Sequence, residues 1–151
     1  MASIDPRASW EAAQEVIFDE IRTYGRPTTG YFAGQDVLLL HTKGAKSGEQ
    51  RVTPVTFTRD GERLVVVASK GGAPTNPAWF ANLVANPIVT VESGGDKFEA
   101  RATPITGGPE RDRLYAQHAS TFPGFLAYER QTSRTIPVVL LERTTIRDSG
   151  S

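Results

Sequence analysis

The sequence predicts an α+β fold that is mainly β, a small antiparallel barrel with helices inserted between its strands. Three observations carry this. About six apolar runs of strand length follow one another along the chain. Most are joined by short turn signals, such as Asp60-Gly61 and the Ser93-Gly94-Gly95-Asp96 turn. The regular alternation of strand and helix that builds a doubly wound parallel sheet is missing, and so is a Gly-x-Gly-x-x-Gly turn.

Residues 9 to 24 read as a helix, with Ser9 as N-cap and Trp10, Ala13, Ile17, Ile21 and Tyr24 at helical spacing. Its other face carries Glu11, Glu15, Asp19 and Glu20. Helices that lie on membranes favour Lys and Arg there, so this one is expected to pack on the domain. Strands follow at Asp36–Thr42 and Arg51–Arg59, the second turning at Asp60-Gly61 into Arg63–Ser69. The uniformly apolar Leu64-Val65-Val66-Val67-Ala68 run suits a central strand. Asn76 to Ala85 reads as a helix with Asn76 as N-cap and Pro77 at the first position. Strands at Ile88–Glu92 and Phe98–Pro104, a helix at Pro109–His118 and a last strand at Ile136–Glu142 complete the walk. Residues 1–35 are expected to form the N-terminal helix and a connecting segment, 36–147 the barrel, and 148–151 a disordered tail.

The 151 residues suffice for one domain with a real core. Lys plus Arg and Asp plus Glu each number 17, so no global field draws the chain to nucleic acid, and any anion site must be local. There are no cysteines and two histidines, which excludes thiolate chemistry and argues against a metal centre. The absence of an apolar signal core or membrane-length run makes a cytoplasmic address the expectation.

Two loops combine cations with glycines. The first, residues 41 to 51, carries Lys43, Lys46 and Arg51 among Gly44 and Gly48. The second sets Lys70, Gly71 and Gly72 after a buried strand and just before a helix start. Glycines let backbone amides approach a ligand, and a helix start adds free amides, so the pair is a candidate phosphate site. An ordinary solvated loop is the plainer reading of either one alone. Aromatic residues lie nearby in sequence: Trp79 and Phe80 open the helix after the second loop, and Phe122, Phe125 and Tyr128 recur at one-face spacing. They are core residues or a lid over a planar ligand. His118, beside Tyr115, and His41 read as packing residues. An apolar ring site next to a cationic tail site suits a phosphorylated planar cofactor.

The segments TKGAKSGEQRVTPVTF, VVVASKGGAPTNPAWFANLVANP and SRTIPVVLLER resemble the deazaflavin-dependent nitroreductase family, actinobacterial reductases of the flavin/deazaflavin oxidoreductase superfamily. The resemblance spans about Val37 to Arg143. It implies a split β-barrel of the FMN-binding type, coenzyme F420, and hydride transfer from the reduced deazaflavin to a small organic acceptor such as a quinone, enone or nitro compound. By position, it implies that Lys46, Ser47 and Arg51 hold the phosphate and acidic tail, with Lys70 and Gly71 opposite. Pro54, Val55, Thr56, Val67, Ala68 and Ser69 would line the ring, and Ala78, Trp79 and Asn82 would close the pocket. Ser69 would also bond the acceptor oxygen, and Tyr128 would supply a proton. Family members that reduce bicyclic nitroimidazoles carry tyrosines where this chain has Phe122 and Phe125. The family also leaves open a monomer or homodimer, and a weak peripheral association with the plasma membrane. Two other readings stay open on the residues: an FMN-dependent oxidase or flavin reductase on the same barrel, and a non-catalytic deazaflavin- or lipid-binding protein.

Overall fold

The computed structural model describes residues 6–30 and 32–144, with the side chains of residues 6–11 and 13 left aside. The tail expected at 148–151 and the side chains of Trp10 and Ala13 fall outside this description. Seven strands form one antiparallel sheet: β1 Val37–Lys43, β2 Gln50–Thr56, β3 Thr58–Asp60, β4 Arg63–Val67, β5 Ile88–Ser93, β6 Asp96–Ile105 and β7 Val138–Arg143. The helices are α1 Pro6–Tyr24, α2 Ala78–Ala85, α3 Pro109–Thr121 and α4 Gly124–Gln131.

The strand order is β2-β1-β5-β6-β7-β4-β3. Its two ends, β2 and β3, are separated in the chain by Phe57 alone, so the sheet must curl until its edges meet. This corrects the single strand expected over Arg51–Arg59. The chain pairs with β1 as far as Thr56, turns at Phe57, whose amide donates to the Asp36 carbonyl at 3.1 Å, and then pairs with β4. The alternation survives the corner. Phe57 turns into the core, while Thr56 and Thr58 share the opposite face. Pro54 is tolerated because β2 is an edge strand, where a missing amide need not break a second ladder.

The curl buries the inner face of the sheet, and helices cover part of the outer one. Inside, Leu38, Leu40, Leu64, Val66, Val91 and Val139 pack together, and α2 plugs the opening with Trp79, Phe80 and Leu83. Outside, Val65, Val67, Val138 and Leu140 lie under α3 through Leu114, Tyr115 and Ala119. β4 lies between β7 and β3 with both faces covered, as its unbroken apolar run predicts. α1 lays Ile21, with Ile17 and Phe18, on Val37 and Leu39 of β1. Arg22 locks it there by two 3.1 Å bonds to Glu92 on β5, and His41 closes on the same carboxylate at 2.6 Å. The paired Arg22 and His41 hold the Glu92 carboxyl well down, at about 2.

Two helix starts differ from expectation. α1 runs through Ser9 and is described from Pro6, a residue whose fixed φ suits the first turn, so Ser9 is not its cap. At α2 the cap position is Pro77, and Asn76 is drawn away to accept a bond from Arg134 Nη1 at 2.6 Å.

Candidate active site

A cavity of about 760 Å³ opens where the sheet's two edges meet. One wall is the end of β2, with Pro54, Val55 and Thr56. Val67 and Ser69 form the adjoining wall, because they share a face at the end of β4. Lys70, Gly71, Pro77 and Trp79 close one end. Over the top lies the α3–α4 corner with Phe122, Phe125 and Tyr128. The segment between α1 and β1 supplies the remaining side with Arg26, Phe32, Gln35 and Asp36. Glu20 helps shape that segment by accepting bonds from the hydroxyls of Thr28 and Thr29, which hold its carboxyl below the usual range.

The loop after β4 is the cationic end. Lys70 has φ 48°, the one positive value among the described non-glycine residues, and Gly71 and Gly72 follow in the same left-handed region. A lysine held there costs on the order of 1 kcal/mol, and such strain persists only where neighbours impose it. Two neighbours do. Arg134, just before β7, donates from Nε to the Ala73 carbonyl at 2.9 Å and from Nη2 to those of Ser69 at 2.9 Å and Ala68 at 3.2 Å. Gly72 is pressed against α4: a Cβ there would lie 2.6 Å from Gln131 Oε1 and 3.0 Å from the Tyr128 carbonyl. Among the described residues, Lys70 Nζ reaches the neutral Thr75 hydroxyl, at 3.4 Å, and the residue is exposed.

The aromatic roof is braced from below. The Tyr115 hydroxyl donates to the Phe125 carbonyl at 2.6 Å, and burial pushes that phenol up to about 12. Phe125 meets Tyr128 edge to face with ring centres 5.1 Å apart. His118 is fully buried beneath the roof, touching the rings of Phe122 at 5.0 Å and Phe125 at 4.6 Å. Its two ring nitrogens face the hydroxyls of Thr56 at 3.4 Å and Thr58 at 3.1 Å. Burial pushes it down to about 4, so it is neutral at physiological pH. It is thus more than the half-buried packing residue expected.

Of the residues singled out from sequence, Pro54, Val55, Thr56, Val67, Ser69, Lys70, Gly71, Trp79 and Tyr128 line this one cavity. Phe122 and Phe125 line it as well, whereas Ala68, Asn82, Lys46, Ser47, Arg51 and Ala78 lie elsewhere. Ala68 faces the barrel core, one residue out of phase with Val67 and Ser69. Asn82 is a buried tie: its Oδ1 accepts from the Ala45 amide at 3.0 Å and its Nδ2 donates to Thr42 Oγ1 at 3.2 Å, which fixes the β1–β2 loop on α2. Lys46 and Ser47 are exposed on that loop, Arg51 is exposed at the start of β2 and paired with Glu49 at 3.1 Å, and Ala78 is exposed on the first turn of α2. Sequence reasoning missed Arg26, Phe32 and Asp36, which carry no motif and reach the cavity only through the path of the chain. It also missed Arg134, whose signal was its place beside the last strand motif.

A curled antiparallel half-barrel with an apolar slot at its seam and a cation at one end is the build of a split-barrel protein that binds a ring cofactor. The chain belongs to the F420H(2)-dependent quinone reductase family, whose model matches residues 16–143. It is 43% identical over 108 residues to an F420H(2)-dependent quinone reductase from Mycobacterium tuberculosis (strain ATCC 25618 / H37Rv), covering 70% of this chain and 72% of that protein. A solved F420-H2 dependent reductase superposes with a TM-score of 0.65 at 34% identity, covering 71% of this chain and 94% of its own. A structure described as a domain-swapped dimer superposes with a TM-score of 0.67 at 30% identity, covering 90% of this chain and 99% of the other. Among the described residues no group of acidic, histidine or cysteine side chains is placed to hold a metal, and no helix is long and apolar enough to cross a membrane.

Proposed function

We propose that this chain is an F420H2-dependent reductase that transfers reducing equivalents to a quinone. The observation that carries the reading is the cavity itself, with apolar walls at Val55, Val67 and Trp79 and a cationic end at Lys70 and Gly71. Its volume of about 760 Å³ suits a tricyclic ring with a second small molecule beside it. The group fits: flat apolar walls for a ring, and left-handed backbone with a lysine for an anionic tail. When bound, the reduced deazaflavin supplies the hydride.

The protein's own part is placement and exclusion of water. Pro54, Val55 and Val67 hold the ring flat, and Lys70 and Gly71 hold the near part of the tail. Lys46 and Ser47 on their exposed loop, with Arg51 at the start of β2, meet negative charge farther out. The roof of Phe122, Phe125 and Tyr128 covers the acceptor. The Ser69 hydroxyl, buried at the cavity wall, donates to the acceptor oxygen, and Tyr128 holds a proton at its phenol oxygen. The same phenylalanines favour an apolar quinone over a nitro compound, which needs more donors.

Titration with oxidised F420, followed by its fluorescence, tests the cofactor. Anaerobic oxidation of F420H2 by a menaquinone then tests the reaction. Saturable quenching and quinone-dependent turnover are expected. A yellow protein that purifies with a flavin and ignores F420 would replace the deazaflavin by FMN, and tight F420 binding without turnover on any acceptor would make the chain a carrier.

A further inference from the structure

From Thr56 on the cavity wall, a hydrogen-bonded row runs back through His118 to Thr58, and neither of these two lines the cavity. Thr58 is buried, and its hydroxyl meets His118 Nδ1 at 3.1 Å. Thr56 lies at the other end, 3.4 Å from Nε2, with its side chain on the cavity wall. A neutral imidazole offers one donor and one acceptor. If Nδ1 carried the hydrogen, the Thr58 hydroxyl would have to donate elsewhere, and His118 is its partner among the described residues. An unspent donor in that buried place costs on the order of 1–3 kcal/mol. The other arrangement satisfies every group: Thr58 donates to Nδ1, Nε2–H donates to the Thr56 oxygen, and the Thr56 hydrogen is left pointing out of the row. Thr56 lines the cavity, which offers that hydrogen a partner there.

We infer that His118 is a positioning residue whose Nε2–H tautomer, set by Thr58, turns the Thr56 hydroxyl into a donor aimed at a carbonyl oxygen of the ring bound in the cavity. This rests on the proposed reading of the cavity as a deazaflavin site. His118 itself touches no ligand and transfers no proton. Phe125 meets its ring edge to face and Phe122 packs on it at a 43° tilt, so the imidazole is held in place before the ring arrives.

The tautomer is read without any cofactor, by long-range proton–nitrogen correlation of the imidazoles in ¹⁵N-labelled protein. His41→Gln leaves a single histidine in the spectrum. Protonated Nε2 and bare Nδ1 are expected; protonated Nδ1 overturns the inference. Thr58→Val removes the group that sets the tautomer, so the spectrum should move toward the Nδ1–H form. It should also weaken F420 binding about fivefold although residue 58 lies outside the cavity, and Thr58→Ser should restore both readouts. A Thr58→Val protein with a changed tautomer and wild-type F420 affinity would overturn the role assigned to Thr56. Wild-type protein that shows the Nε2–H form but ignores F420 and responds to no deazaflavin would overturn the cofactor reading and this donor's partner together, leaving the tautomer assignment measured.

Discussion

Arg134 Nη2 donates to the carbonyl of Ser69 at 2.9 Å, so the residue that holds the wall of the cavity approaches it from behind and through the backbone. Three further bonds from the same guanidinium, to Ala68, Ala73 and Asn76, span the whole loop between β4 and α2. One planar fork thereby gathers the loop's carbonyls to a single point.

Arg134→Ala should therefore cost about 2–4 kcal/mol of stability, since it orphans several carbonyls at once. It should also weaken F420 binding by freeing Lys70 and Gly71. Arg134→Lys supplies a charge without the fork and should recover little of either. Urea unfolding and F420 titration on the two variants measure this. Loss of stability with unchanged F420 affinity would show that the loop's shape does not matter to the ligand.

Lys70→Ala should weaken F420 binding by about 1.5–3 kcal/mol, roughly 10- to 150-fold, if its ammonium meets the tail. Lys70→Gly separates charge from conformation. It should relieve the left-handed strain and stabilise the fold by about 1 kcal/mol while losing the same affinity. Thermal unfolding and fluorescence titration on the same preparation test both halves.

Acid should weaken the fold in two windows. His118 is neutral when folded, with its value moved down from 6.5 to about 4. The unfolded chain thus takes up the proton first, and stability falls as pH drops from about 6.5 to about 4, by about 3 kcal/mol in all. Glu92 is lowered from 4.5 to about 2, so the stability it lends is present above 4.5 and lost as pH falls toward 2. Urea midpoints between pH 7 and pH 4 should decline in the wild type and stay flatter in His118→Phe. Equal slopes would assign the loss to other groups.

Tyrosine at positions 122 and 125 would return two hydroxyls to the roof. The double substitution Phe122→Tyr and Phe125→Tyr should raise nitroimidazole turnover by about tenfold, one hydrogen bond's worth, with smaller change on quinones. Steady-state rates with both acceptors decide it, and unchanged nitroimidazole rates would show that the hydroxyls are not what limits that reaction.

Much of this was legible from local pattern. The Leu64–Ala68 run announced a strand covered on both faces, and Asp60-Gly61 and the Ser93–Asp96 turn announced hairpins that β3–β4 and β5–β6 now show. Strand parity also places Val67 and Ser69 together on the cavity wall, and the same parity should have removed Ala68 from it. What pattern could not show was long-range competition. Asn76 has the chemistry of a helix cap, yet Arg134, distant in sequence, claims its oxygen. The alternation of Val55, Thr56, Phe57 and Thr58 runs without a break across the corner, and only closure of the sheet reveals that the run serves two strands. His118 read as packing because its threonine partners lie about sixty positions earlier and became neighbours only through that closure.

The strand order has a consequence for synthesis. β7, the last strand in the chain, sits between β6 and β4 and pairs with both. Until residues 138–143 have left the ribosome, the sheet can exist only as two pieces, β2-β1-β5-β6 and β4-β3, hinged at Phe57. Each piece leaves the edge that β7 will fill unpaired, β6 on one and β4 on the other, and open edges are where nascent chains pair wrongly or recruit chaperones. β7 is the keystone, and the cavity at the seam comes into being with residues 138–143 rather than with the segments that line it.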